Sequence, residues 1–242
     1  MRIALLEMDI AWGRPEENIL TAERLMKERG AADLYILPEM WATGFAVEPE
    51  GMVEDESTSI ALSWMKQTAR ERHCALSGSL AVKVGDDYRN RHYFVTPDAV
   101  SFYDKRHLFS YGREHLKYTR GEQAVIVDCK GFRLLLQTCY DLRFPVFSRY
   151  GRAGEYDAII YVANWPEKRQ MIWNTLIRAR AIENQCFVMA VNRTGQDPVS
   201  VYAGGSAIID PVGNTVNGFS AEISIDVLNQ IRNRYRFLDD RD

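Results

Sequence analysis

The amino-acid sequence predicts a layered α/β sandwich. Helical stripes and strand-like runs alternate along the whole chain, and the run Ala158 to Ala163 is apolar throughout, as befits a strand covered on both faces. No linker-like segment, internal repeat or low-complexity tract separates one half from the other. The 242 residues are 46% hydrophobic and 26% charged, which is enough apolar material for a large core, and one domain over residues 1–242 is expected.

The chain opens with an apolar strand at Ile3 to Leu6, then a helix in which Ile19, Ala22, Leu25 and Met26 share one face and which Gly30 ends. A second strand, Leu34 to Leu37, completes a β-α-β opening that stops at Pro38-Glu39. Ser57 is placed to cap the next helix, whose Ile60, Ala61, Trp64, Met65 and Thr68 or Ala69 recur at helical spacing and predict a core face. From Cys74 to Tyr103, short apolar runs are separated by Gly85-Asp86-Asp87 and Thr96-Pro97-Asp98, the pattern of antiparallel hairpins. Strands are expected again at Ala124 to Val127 and Phe132 to Gln137. Pro166 suits the first turn of a helix reaching about Asn184, with Met171, Thr175, Arg178 or Ala179 and Ile182 along one side. Phe187 to Val191 and Ser206 to Ile209 supply further strands. The tail from Asn229, with four arginines and three aspartates, reads as a surface arm or a subunit contact.

A net charge of -3 without long like-sign runs supplies no field for nucleic acid or an anionic membrane. Glu7 and Asp9 interrupt the apolar residues of the first ten positions, so no signal-peptide core is expected, and no window approaches a membrane span. Cys74, Cys129, Cys139 and Cys186 have neither paired metal-ligand spacing nor the density of a disulfide scaffold, and the four histidines add no ligand spacing. A cytoplasmic protein without a metal site is the expectation.

Leu134 to Thr138 runs a buried strand directly into a polar turn at Cys139-Tyr140-Asp141, and Arg143-Phe144-Pro145 then starts a helix. Such a strand-to-helix turn exposes the side chain at its apex and aims backbone amides outward, which suits a nucleophile beside an oxyanion site. A thiol near its reference pKa is mostly protonated at neutral pH, so it needs a base or a cationic neighbour. Glu39, directly after an apolar strand and flanked by Tyr35-Ile36-Leu37 and Met40-Trp41, is a carboxylate whose burial would raise its pKa toward the range of a general base. Lys105 also follows a strand, Val100 to Tyr103; alone it reads as a solvent-facing lysine. Three strand ends bearing a glutamate, a lysine and a cysteine point to a shared site, because α/β sheets gather their sites at strand ends.

The blocks Leu37-Pro38-Glu39-Met40, Tyr103-Asp104-Lys105-Arg106-His107-Leu108-Phe109 and the cysteine turn resemble those of the nitrilase superfamily of carbon–nitrogen hydrolases. Ala163-Asn164-Trp165-Pro166 and Arg178 to Asn184 extend the match over nearly the whole chain, in order. The resemblance implies a four-layer α-β-β-α sandwich, a homodimer or larger homo-oligomer, a Glu-Lys-Cys triad and no cofactor. On this chain Glu39 would be the base, Cys139 the nucleophile, and Lys105 with the backbone amide of Tyr140 the oxyanion donors. Glu114, nine residues beyond Lys105, matches a second glutamate that orients the lysine and substrate.

The residues after the nucleophile, Tyr140-Asp141-Leu142-Arg143-Phe144-Pro145, and the segment Met40 to Phe45 look like the bacterial omega-amidase branch, which acts on small amides such as 2-oxoglutaramate and 2-oxosuccinamate. Arg143 could hold the carboxylate of such a substrate, although pairing with Asp141 or Glu183 is the favoured expectation for it. Phe45, Tyr140 and Trp165 could wall a small pocket or sit in the core. Arg178, Arg180 and Glu183 are expected to form ion pairs on the long helix or at a dimer contact. Carbamoylase or nitrilase chemistry at the same cysteine, or a silent interaction module, are the alternatives.

Overall fold

The computed structural model describes residues 1–216 and 218–241. Strand β1 (Arg2–Leu5), helix α1 (Pro15–Arg29) and strand β2 (Leu34–Ile36) form the β-α-β opening. Pro15, Glu16 and Glu17 lie in the first turn of α1 and Lys27 and Arg29 in its last, the charge order a helix dipole favours. Helix α2 (Ile60–Arg72) is capped by Ser59, whose hydroxyl accepts from Leu62 N. Ser57, the expected cap, bonds the Asp55 carboxylate instead, because the helix begins too far along for its side chain to reach the free amides. Strands β3 (Ala75–Val84), β4 (Asp87–Val95) and β5 (Val100–Asp104) are antiparallel neighbours.

The second half contains β6 (Ile126–Cys129), β7 (Phe132–Thr138), a 3-10 turn at Cys139–Arg143, α3 (Pro145–Ser148), β8 (Ala158–Ala163), α4 (Gln170–Asn184) and β9 (Phe187–Asn192). A small hairpin, β10 (Thr194–Gln196) and β11 (Val201–Ala203), precedes β12 (Ala207–Ile209), β13 (Thr215–Val216), β14 (Ser220–Glu222) and α5 (Ile225–Arg234). Two six-stranded sheets result, in the orders β14-β1-β2-β3-β4-β5 and β13-β12-β9-β8-β7-β6.

Side-chain alternation along the strands sets the layers. Ile3, Leu5, Leu34 and Ile36 of the first sheet share one core with Leu134, Leu136, Ile160, Val162, Met189 and Val191 of the second. The opposite faces, Ala4, Tyr35 and Leu37 on one side and Leu135, Ile159 and Tyr161 on the other, pack against α1 with α2 and against α4. The four-layer α-β-β-α order follows.

Pro166 leads a 3-10 turn at Glu167–Arg169 rather than α4 itself. The side of α4 carrying Met171 and Ile182 faces outward, these residues being 74% and 50% exposed; Trp173, Ile177 and Ala181 form the buried side. In the tail, Arg232 donates to the carbonyls of Gln185 and Tyr156 and to Asp157, so it pins α5 to the second sheet's outer layer. Asp242 lies outside the described residues. Among the described residues no helix is long and apolar enough to cross a membrane.

Candidate active site

Three strand ends converge. Glu39 follows β2, Lys105 follows β5, and Cys139 follows β7 across the sandwich. Strand β5 is antiparallel to β4, which is antiparallel to β3, so it runs in the same direction as β2 and delivers Lys105 to the same edge as Glu39. The loop bearing Glu39 lies hard against β3. A Cβ on Gly78 would sit 2.8 Å from Leu37 Cβ and 3.1 Å from Trp41 Cδ1, so only glycine permits this approach.

Glu39, Lys105 and Glu114 have wholly buried side chains. The Lys105 ammonium donates to Glu39 Oε1 at 2.8 Å and to Glu114 Oε2 and Oε1 at 2.9 and 3.2 Å. A lysine that reads from the sequence as ordinary surface is thus enclosed between two carboxylates. Asn90, buried on β4, donates through Nδ2 to Glu39 Oε1 and Glu114 Oε1 at 2.8 and 2.9 Å, and its Oδ1 accepts from Ser79. The Ser79 hydroxyl in turn accepts from Met40 N, which holds Met40 at a left-handed φ of 44° directly beside Glu39. Asn164 closes the other side: its backbone N–H donates to Glu39 Oε2 and its Nδ2 to the Glu39 carbonyl.

Cys139 also has a left-handed backbone, φ 44°, a strained conformation for a residue with a side chain. Asp141 stabilises the turn. Its Oδ2 accepts from Thr138 N at 3.0 Å and from the Tyr103 hydroxyl at 2.7 Å, and its Oδ1 accepts from His107 N at 3.0 Å and lies 2.8 Å from His107 Nδ1. One buried carboxylate therefore ties the cysteine turn to both flanks of Lys105. The two sheets are joined again at His92, whose Nδ1 faces the Gln137 carbonyl at 3.2 Å while Nε2 meets the Ser77 hydroxyl at 2.8 Å.

Burial pulls the Lys105 pKa down, but the Glu114 and Glu39 carboxylates outweigh it and hold the ammonium above the ordinary lysine value. Burial pushes Glu114 up, and the charge of Glu39 adds to that push against the pull of Lys105. Burial, then the Glu39 carboxylate, drives the Cys139 thiol well above its usual value. Cys74 and Cys129 are also pushed up by burial, to about 11. A raised pKa therefore does not single out Cys139; its place beside a carboxylate and at the floor of a cavity does. The site can keep a neutral thiol until a carboxylate takes its proton.

That cavity, about 480 Å³, has Cys139 in its floor and Phe45, Phe109, Tyr140 and Trp165 among its walls. Arg143 also lines it, with its guanidinium 5.1 Å from the centre of the Trp165 ring. The expected pairing of Arg143 with Asp141 or Glu183 does not occur: Asp141 is filled by the contacts above, and Glu183 pairs with Arg149 and Arg180. Arg178 bonds the Gly213 carbonyl and Thr215 rather than an acid. Arg169 is a second guanidinium in the wall, over Phe109. The two acids there are already engaged, Glu48 with Lys117 and Asp197 with Val199 N, Ser200 N and the Tyr202 hydroxyl. The wall thus offers two guanidiniums, Arg143 and Arg169, that no carboxylate of the wall pairs. Among the described residues no group of three or more His, Cys, Asp or Glu is arranged to hold a metal.

The model of the carbon–nitrogen hydrolase family matches residues 2–228. The chain is 36% identical to omega-amidase YafV of Escherichia coli strain K12, over 100% of this chain and 97% of that protein. It is 38% identical to 2-oxoglutaramate amidase of Bacillus subtilis strain 168, over 88% and 84%. The crystal structure of XC1258 from Xanthomonas campestris, described as a CN-hydrolase superfamily protein with an arsenic adduct in the active site, superimposes with a TM-score of 0.94 at 38% identity, covering 100% of this chain and 97% of that one. The chain belongs to the carbon–nitrogen hydrolase family of the nitrilase superfamily and is a hydrolase of carbon–nitrogen bonds other than peptide bonds.

Proposed function

We propose that the protein hydrolyses the terminal amide of a small 2-oxo acid monoamide, such as 2-oxoglutaramate or 2-oxosuccinamate, through a thioester on Cys139. The observation that carries this reading is the thiol of Cys139 in the floor of a cavity, beside a carboxylate that is itself paired with a buried lysine. The names of the relatives from E. coli and B. subtilis support the acyl group.

In this mechanism Glu39 takes the thiol proton as Sγ attacks the amide carbon. The oxyanion is met by the backbone amide of Tyr140 and by the Lys105 ammonium, which turns toward it the N–H of its longest contact, 3.2 Å to Glu114 Oε1. Glu39 returns the proton to nitrogen as the C–N bond breaks, and ammonia leaves. Water then attacks the thioester, giving a proton to Glu39; the S–C bond breaks, the 2-oxo acid departs, and the thiolate regains a proton. Glu114 holds Lys105 toward the reacting carbon. Arg143, braced on Trp165, receives the substrate carboxylate, and Phe45 and Tyr140 flank the chain between the two ends.

A homodimer or larger assembly and a cytoplasmic location belong to the same reading; the exposed Met171 and Ile182 on α4 support the first. The test is ammonia release by purified protein from 2-oxoglutaramate, 2-oxosuccinamate, an N-carbamoyl amino acid and a nitrile. Turnover of the two 2-oxo acid amides is expected. Turnover confined to the carbamoyl compound or nitrile would replace the substrate, and no turnover of any would favour a silent module.

A further inference from the structure

The acceptors around the reacting centre are nearly all occupied. Glu39 Oε1 takes Lys105 and Asn90, Glu114 Oε1 takes Asn90 and Lys105, and Glu114 Oε2 takes Lys105 and Phe109 N. A carboxylate oxygen has two lone pairs, so those three are filled. Among the described residues Glu39 Oε2 takes only Asn164 N, which leaves one lone pair for the neighbouring Cys139 thiol.

Asn164 supplies the other free acceptor. The residue is 5% exposed and lines the cavity that has Cys139 in its floor. Nδ2 is committed to the Glu39 carbonyl at 2.7 Å, and exchanging the amide oxygen and nitrogen would set two acceptors face to face. Oδ1 is buried and has no hydrogen-bond partner among the described residues. Buried acceptors are seldom left so in folded proteins unless a ligand or ordered water completes them.

We propose that Asn164 Oδ1 accepts an N–H of the scissile carboxamide, so that Asn164 recognises the nitrogen leaving group. The inference rests on the amide-hydrolysis reading above. A primary amide brings N–H donors into a dry site; the open lone pair of Glu39 Oε2 is needed for the Cys139 proton, so Asn164 Oδ1 is the acceptor left for an amide N–H. Once Glu39 has taken the thiol proton it must donate toward nitrogen, and Oδ1 is then the acceptor that holds the nitrogen in line. As the carbon becomes tetrahedral and the nitrogen gains its proton, the N–H groups become stronger donors, so this contact strengthens toward the transition state. An ester of the same acid presents only oxygen lone pairs at this position and leaves Oδ1 unpaired. Asn164 thus biases the site toward amides.

The test compares kcat/KM on 2-oxoglutaramate and on the matching ω-methyl ester for the wild type, Asn164→Ala and the similarly sized Asn164→Leu. Both variants should lose at least about tenfold more on the amide than on the ester, because only the amide donates to Oδ1. Equal losses on the two substrates would overturn the inference and leave Asn164 as a support for Glu39 alone. A wild type that turns over neither compound removes the amide reading, and this inference with it. Should neither variant fold, the binding of amide and ester to Cys139→Ala protein decides: the amide should bind at least about tenfold more tightly, and equal affinity would overturn the proposal.

Discussion

Lys105 Nζ and Glu114 Oε2 lie 2.9 Å apart with both side chains wholly buried, and Glu39 completes the cluster on the other side of the same ammonium. Removing one member of a buried ion pair leaves an uncompensated charge, which commonly costs about 3–5 kcal/mol. Lys105→Ala leaves two such carboxylates. The variant should therefore lose stability of that order in urea unfolding as well as all ammonia release. Glu114→Gln, which keeps the shape and one acceptor, should stay folded and lose at least about a hundredfold in kcat.

Asp141 makes four contacts that join the cysteine turn to Tyr103 and His107. Asp141→Ala should destabilise the protein by roughly 2–4 kcal/mol, because several buried donors lose their acceptor together. Its kcat should fall more than its KM rises, since the Cys139 to Lys105 geometry changes while the cavity wall does not. Steady-state kinetics on folded protein at low temperature read both quantities.

His92 titrates far from its ordinary value: burial pushes its pKa down to about 3, against the opposing pull of the Gln137 carbonyl and Asp141. The unfolded chain protonates His92 near pH 6.5 and the folded chain only near 3, so the unfolded state binds more protons in between. The stabilisation is complete above about pH 6.5 and declines as pH falls toward 3, by roughly 1 kcal/mol per pH unit. Thermal or urea unfolding across this window should show the slope, and His92→Gln should flatten it.

Arg143 stands over Trp165 in the cavity wall and pairs with neither Asp141 nor Glu183. Arg143→Met, which keeps the length without the charge, should raise KM for 2-oxoglutaramate about tenfold or more with little change in kcat, because the contact is the same in ground and transition states. An amide without a carboxylate should be unaffected.

Much of the architecture is legible in the sequence, because doubly covered strands such as Ala158 to Ala163 and the turn after Thr138 carry local signals. The supports of the site are not. Asn90 and Asn164 meet Glu39 across 51 and 125 residues of chain, and an asparagine in a strand or at a strand end carries no local mark of such a partner. A trace is visible at Asn90-Arg91-His92, three polar residues in the middle of a long hairpin strand that a simple exposed face does not explain. Lys105 misleads for a different reason. Lysines are almost always solvated, and only the distant Glu39 together with Glu114 makes its burial tolerable. Which side of α4 is buried is not legible either: Met171 and Ile182 are apolar yet exposed, while the polar Arg180 and Asn184 are buried against the Leu142 carbonyl, Glu183 and Tyr150 N.

The central claim is a covalent acyl group on Cys139. Wild-type protein mixed with excess 2-oxoglutaramate, quenched in acid within the first turnovers and digested should yield the peptide containing Cys139 with the mass of the acyl group added, and Cys139→Ala should yield no adduct and release no ammonia. An adduct on Cys74, Cys129 or Cys186, or undiminished ammonia release by Cys139→Ala, would contradict it.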